Sequence, residues 1–218
     1  MTNGECILTI SRHVGPVSNI TQITPWLWVG GDLDHKIPGT AETELAQWVR
    51  HGVTDILDVR AEWSDEEWVR SRYPDIGYVH LGVRDTGDRM PGDWFDAGVR
   101  VARETALRGG TLLVHCHLGV NRGPSMAVAI LTAQGWDLFE ALDRVRRLRP
   151  IANVGYAEDT LEWWLATQPP TVIPPATYRT RLARWRAMHP MDGDLIVRQV
   201  RDGRRERYRS EEPANETV

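Results

Sequence analysis

The sequence predicts an α/β fold of three layers, in which a central mostly parallel (mixed) sheet is flanked by helices on both sides. Two features of the pattern predict it. From Trp26 to His115, short β-branched and aliphatic runs alternate with longer stretches whose apolar residues recur every three or four positions. From Ser125 to Thr167, three helix-length segments follow with no strand pattern between them.

The elements follow in order. Cys6 to Ile10 and Ile20 to Gly30 carry short apolar runs broken by Gly15, Pro16 and Pro25, as short strands and turns are, and Trp26 to Val29 reads as a strand closed by Gly30-Gly31. After Pro38-Gly39, Thr40 is placed to cap a helix with Leu45, Trp48 and Val49 on one face, ending near Gly52. Asp55 to Val59 reads as a buried strand. Ser64 followed by Glu67 forms a capping-box pattern for a helix to Arg72, which Pro74 ends. Tyr78 to Val83 supplies the next strand, Asp93 to Leu107 a helix stopped by Gly109-Gly110, and Thr111 to His115 another strand. Helices then run from Ser125 to Gln134, Asp137 to Leu148 and Tyr156 to Thr167.

Pro169, Pro170, Pro174 and Pro175 favour an extended connection, which sets the boundary between a domain over 1–168 and an extension over 169–218. The extension is predicted to hold a short helix from Tyr178 to Met188 and a hairpin, Leu195 to Val200 turning at Asp202-Gly203 into Arg204 to Tyr208, before a disordered end from Ser210.

Composition bounds the chemistry. The chain has 218 residues, enough for one core of ordinary size with an appendage, and a formal net charge of -4. No global basic field points to nucleic acid or an anionic membrane, so affinity for anions has to be local. Only two cysteines occur, Cys6 and Cys116, and the first residues lack the charged, apolar and cleavage regions of a leader, which predicts a reduced, cytoplasmic setting. No apolar run approaches the roughly 20 residues that span a bilayer.

The segment Val114-His115-Cys116-His117-Leu118-Gly119-Val120-Asn121-Arg122-Gly123-Pro124-Ser125 lies between a buried strand and an apolar helix. Such a loop aims successive N–H groups into one concavity, and the helix N-terminus adds positive potential, so a phosphoryl dianion is favoured there. The same field favours Cys116 as the nucleophilic thiolate. The spacing to Arg122 lets the chain curl around a phosphate and return a planar, bidentate guanidinium to two of its oxygens. Gly119 suits a position that turns tightly or approaches the ligand without a Cβ. A bare Cys-x5-Arg spacing arises by chance in roughly one chain of this composition in five; the preceding His, the internal Gly and the flanking strand and helix make accident a poor account.

With these residues the sequence resembles the cysteine-based protein tyrosine phosphatase superfamily, whose pattern is His-Cys-x5-Arg-Ser/Thr, and within it the small dual-specificity group. Ile23 to Gly30 is similar to that group's opening strand, His51 to Leu57 to its "Gly-Ile-Thr-His-Val-Leu" strand, and Arg149-Pro150 with Asn153 and Tyr156 to the segment after its penultimate helix. The resemblance covers about Ile20 to Leu165 and implies a dual-specificity-phosphatase-like fold, no cofactor or metal, and a phosphorylated protein as substrate. It implies Cys116 as nucleophile, Arg122 as phosphate clamp and the loop His117, Leu118, Gly119, Val120 and Asn121 as the oxyanion cradle. His115 reads as orienting the cysteine and loop by hydrogen bonds, not as an acid or base. The family's acid lies some thirty residues upstream on a loop; Asp85, in Val83-Arg84-Asp85-Thr86, fits that position, with Asp88 and Asp93 as rivals.

One departure stands out. Gly123 follows the arginine where the family has Ser or Thr, whose hydroxyl helps the sulfur leave; either Ser125 substitutes or turnover is slow. A catalytically impaired phosphate-binding module is therefore one alternative, and a phosphoinositide or nucleotide phosphatase another, although no lysine lies between His117 and Asn121 to suit a lipid head group. His117 faces solvent or the pocket rim, Cys6 is passive unless it is a redox partner of Cys116, and the tryptophans fill the core, Trp94 being placed to border the substrate. Arg144, Arg146, Arg147 and Arg149 read as a solvated helix face, with a docking patch for acidic phosphoproteins as the other reading.

Overall fold

The computed structural model describes residues 19–168 and 173–198. Among the described residues five strands form one sheet, β1 (Ile20–Gln22), β2 (Leu27–Gly30), β3 (Asp55–Arg60), β4 (Gly77–Val83) and β5 (Leu112–His115), in the order β1-β2-β5-β3-β4. Only β1 runs antiparallel; β2, β5, β3 and β4 are parallel, with Val29 and Leu57 both opposite Val114. Strand β5 is thus central and buried at every residue.

Side-chain alternation along these strands divides the core into two layers. Trp28, Ile56, Tyr78 and Leu113 pack against α1 (Thr40–Arg50) and α2 (Glu66–Arg72). Their neighbours Leu27, Val29, Leu57, Val59, Leu112 and Val114 face the other way, into a cluster with α3 (Gly92–Leu107), α4 (Arg122–Ala133), α5 (Leu138–Leu148), α6 (Ala157–Thr167) and α7 (Pro175–Met188). The apolar all-round sequence of α4 puts it in the middle of that layer, with every residue from Arg122 to Thr132 buried. Truncating a side chain such as Leu131 there costs about 2–5 kcal/mol. Leu182 and Trp185 of α7 join the same cluster, and the Trp185 indole donates to Asp143 at 2.6 Å.

Several boundaries differ from the sequence reading. Gly39, at φ 78°, is the N-cap of α1, so Thr40 lies inside the helix instead of capping it. Helix α2 starts at Glu66 after Asp65, because the Asp65 carboxylate is bound by Arg60 and His35, while Ser64 Oγ accepts the Glu66 N–H at 3.2 Å in place of a capping box. Helix α4 begins three residues early, at Arg122, and α7 begins at Pro175, a residue with no N–H to lose in a first turn. The first arm of the predicted hairpin is corrected: 193–198 are helical, because Asp192 caps them by accepting the Leu195 N–H at 2.8 Å. The second arm, the strand at Cys6 to Ile10 and the chain end lie outside the described residues. No helix among the described residues is long and apolar enough to cross a membrane.

Candidate active site

Cys116 leaves β5 at the carboxyl end of the sheet, between the ends of β2 and β3, where crevices of open parallel sheets form. Its N–H donates to Gly30 O at 3.2 Å, and its side chain is a free thiol, 2% exposed. Residues 117–121 turn from there into α4, with Asn121 as N-cap.

Donors from the surrounding elements bind every carbonyl of this turn. Asp32 N–H holds His117 O at 3.1 Å, and the N–H groups of Asn153 and Val154 hold Val120 O at 2.8 and 3.1 Å. The Arg149 guanidinium holds Leu118 O at 2.9 Å and Gly119 O at 2.7 Å, and Ser125 holds Asn121 O through its N–H and its hydroxyl. In a trans peptide the C=O and the next N–H point opposite ways, so fixing the carbonyls outward turns the N–H groups from Leu118 to Arg122 toward the concave side. Together with the N-terminus of α4 they line a concavity with donors, chemistry suited to an anion. Gly119, at φ +66°, is obligatory in it: a Cβ would sit 2.6 Å from Gly30 O and collide with Arg149.

Arg122 is buried and fixed from behind. Its Nη1 and Nη2 donate to the Glu62 carboxylate at 2.8 Å each, and Nη1 also to Val83 O at 2.8 Å. The bonds from Arg122 hold the Glu62 carboxyl below its ordinary range. The buried Nε of Arg122 has no hydrogen-bond partner among the described residues, and Asp85 Oδ2 lies 3.6 Å from it.

Asp85 follows β4. Its Oδ1 accepts from Tyr156 OH at 2.6 Å, and Asn121 Nδ2 lies 3.4 and 3.3 Å from its two oxygens. Burial, then the Asp85 contact, push the Tyr156 hydroxyl up to about 12, so it remains a donor at neutral pH. The rivals lie elsewhere: exposed Asp88 accepts from Thr86 Oγ1 at 2.8 Å, and Asp93 is exposed in the first turn of α3.

The flanking histidines differ. His115 is fully buried, pushed down to about 4 by burial and so neutral at pH 7, with Asp58 3.8 Å away and the Trp48 ring at 5.6 Å; neither ring nitrogen has a hydrogen-bond partner among the described residues, so the expected hydrogen bonds orienting the cysteine are not made. His117 Nδ1 bonds Asp32 at 2.7 Å, and that bond raises it above its ordinary value. Leu118 is half-buried and Val120 buried. The Ser125 hydroxyl does not join the sulfur; besides donating to Asn121 O it accepts the Tyr156 N–H at 3.1 Å, tying α4 to the start of α6. Gly123 is the residue beside the sulfur, where a Cβ would sit 3.6 Å from Sγ.

One reading as a solvated face and one as a substrate border are corrected. Of the four arginines around α5, Arg149 is buried on the loop, Arg144 Nε donates to Ile23 O at 2.9 Å and Arg146 to Ala152 O at 2.7 Å and Pro190 O at 2.8 Å, which leaves Arg147 as the solvated one. Trp94 is a core residue whose indole donates to Leu81 O at 2.9 Å, so it does not border the site. Glu62, Asp32, Trp63 and the roles of Arg149 and Tyr156 escaped the sequence reading. The signal available for Glu62, Asp32 and Trp63 was their position just past β3 and β2, at the carboxyl edge of the sheet.

The sequence model described as "Dual specificity phosphatase, catalytic domain" matches residues 39–163. The chain is 28% identical over 137 residues to "Dual specificity protein phosphatase 15" of Mus musculus, covering 62% of this chain and 53% of that protein, so it spans about half that relative's length. It is 25% identical over 166 residues to "Dual specificity protein phosphatase 18" of Pongo abelii, covering 75% of this chain and 82% of that one. Among solved structures, human DUSP28 superposes with a TM-score of 0.58 at 22% identity, covering 71% of this chain and 99% of that chain, a likeness of fold.

Proposed function

The chain belongs to the dual-specificity phosphatase family, and from that premise we propose that it hydrolyses phosphotyrosine and/or phosphoserine/threonine in proteins through a cysteinyl-phosphate intermediate. The observation that carries this reading is the buried Arg122 Nε, left without a hydrogen-bond partner among the described residues while the terminal nitrogens are bound to Glu62, in the same loop as the Cys116 thiol. Nε and the remaining Nη2 proton match two oxygens of a phosphoryl group, and the loop N–H groups serve the same oxygens.

In the first step Cys116 Sγ attacks phosphorus in line as the ester P–O bond breaks, and Asp85 protonates the leaving oxygen. In the second, Asp85 takes a proton from water, the water oxygen bonds to phosphorus, and the S–P bond breaks to return the thiolate and inorganic phosphate. Tyr156 and Asn121 hold the Asp85 carboxylate over the loop. In this reading residues 1–168 are the catalytic domain and 169–218 an extension, acting in the cytoplasm, where the thiol stays reduced.

The test is hydrolysis of an aryl phosphate together with trapping of the phosphoenzyme. Cys116→Ser abolishes both, while Asp85→Ala keeps phosphate binding and slows release of a poor leaving group. Wild-type rates from Cys116→Ser would end the proposal. A second reading, a phosphate-binding module with impaired turnover, is favoured by Gly123; stoichiometric phosphoenzyme formation without later turnover would establish it.

A further inference from the structure

We propose that Trp63 and His117 form an aryl-binding wall at the mouth of the phosphate site and make phosphotyrosine the preferred substrate; this rests on the phosphatase reading above. Trp63 is 42% exposed, alone among the ten tryptophans, all of which fall within the described residues. An indole left in water costs free energy that most chains avoid by burial. Yet this indole is held in place. The residue before it, Glu62, is bound at both oxygens by Arg122. Its ring meets that of His117 edge-on, at 5.4 Å and 78°, and the buried Arg60 guanidinium lies 4.9 Å from its centroid. His117 in turn follows Cys116 directly and is fixed by Asp32.

His117 follows Cys116 in the chain and Trp63 follows Glu62, which grips Arg122, so the paired rings are anchored next to both groups before any ligand arrives. A phosphotyrosyl group carries an aromatic ring between its phosphorus and its main chain, and that ring is what such a wall would meet. A phosphoseryl group has no ring to offer there. Stacking or edge contact with a rigid indole accordingly rewards the aryl ester alone.

The test measures affinities of one peptide sequence carrying phosphotyrosine or phosphoserine, and of inorganic phosphate, for the full chain as Cys116→Ser, alone and with Trp63→Ala or Trp63→Phe. Trp63→Ala is expected to weaken the phosphotyrosyl peptide about tenfold and to change the other two ligands less than twofold, with Trp63→Phe recovering most of the loss. Equal losses for both peptides, or no loss, would overturn the wall while leaving the phosphatase reading intact. Failure of all three ligands to bind the chain before Trp63 is changed would overturn both.

Discussion

The Glu62 carboxylate grips Arg122 at both terminal nitrogens, 2.8 Å each, and so fixes which edge of the guanidinium is left for a ligand. A glutamine can accept at one nitrogen only and presents its own N–H2 to the other. Glu62→Gln is therefore expected to lower kcat/KM for an aryl phosphate by about 10- to 100-fold and to weaken inhibition by inorganic phosphate, with little change in melting temperature. Steady-state kinetics with phosphate as competitor checks it.

Arg149 is a buried cation whose hydrogen bonds go to two loop carbonyls, Asn19 Oδ1 at 2.7 Å and Thr21 Oγ1 at 3.1 Å, with no carboxylate among them. Burial accordingly pushes it down to about 10. Keeping an unpaired charge there makes physical sense if it holds the loop's carbonyls outward. Arg149→Met is expected to abolish phosphate binding, and Arg149→Lys is not expected to restore it, because one ammonium cannot reach four acceptors arranged around a planar fork. Isothermal titration with inorganic phosphate decides this.

Much of the architecture was legible because it rests on local pattern. The continuous apolar run Leu112, Leu113 and Val114 and the largely apolar stretch after Ser125 led to the strand and the buried helix, and the loop between them carried Cys116, Arg122 and Gly119 in one continuous run. What could not be read was anything assembled from distant parts of the chain. Glu62 reaches Arg122 across 60 positions and Tyr156 reaches Asp85 across 71, and neither pairing leaves a periodic trace. Arg149 misled for another reason: charged residues spaced along a helix ordinarily face water, and only the tertiary fold shows this one turned inward. Helix starts failed where a side chain had a stronger partner, as Asp65 does in Arg60.

Gly123 lies against the sulfur, and an added Cβ would stand 3.5 Å from Cys116 N and 3.6 Å from Sγ, ordinary contact distances. Gly123→Ser therefore fits without moving the loop and brings a hydroxyl beside the leaving sulfur. The expected outcome is faster breakdown of the cysteinyl phosphate, by about tenfold, with its rate of formation unchanged. Rapid-quench measurement of both steps separates them; an equal effect on each would show that Gly123 does not limit breakdown of the cysteinyl phosphate.

His115 ties stability to acid. Its folded value of about 4 lies below the ordinary 6.5, so above pH 6.5 both folded and unfolded chains hold it neutral and stability is undiminished. Between pH 6.5 and 4 the unfolded chain takes up a proton that the fold refuses, and stability falls toward a loss on the order of 3 kcal/mol. Urea unfolding at pH 7 and 4.5 should show a smaller decline for His115→Asn than for the unaltered chain.

His117 works in the opposite sense. Its bond to Asp32 raises it above 6.5, so its charge is fully present below that pH and is lost as pH rises through the raised folded value. That charge stands next to Cys116 at the edge of the anion cradle, where it favours a dianion. Phosphate affinity should accordingly weaken on the alkaline side as His117 deprotonates. In Asp32→Asn the carboxylate is gone, His117 titrates nearer its ordinary value, and the loss of affinity should move to lower pH. Following the His117 ring resonances and phosphate binding together across pH 5.5 to 8.5 tests the link: an affinity curve that stays in place while the ring titration shifts would show that His117 does not contribute to the anion site.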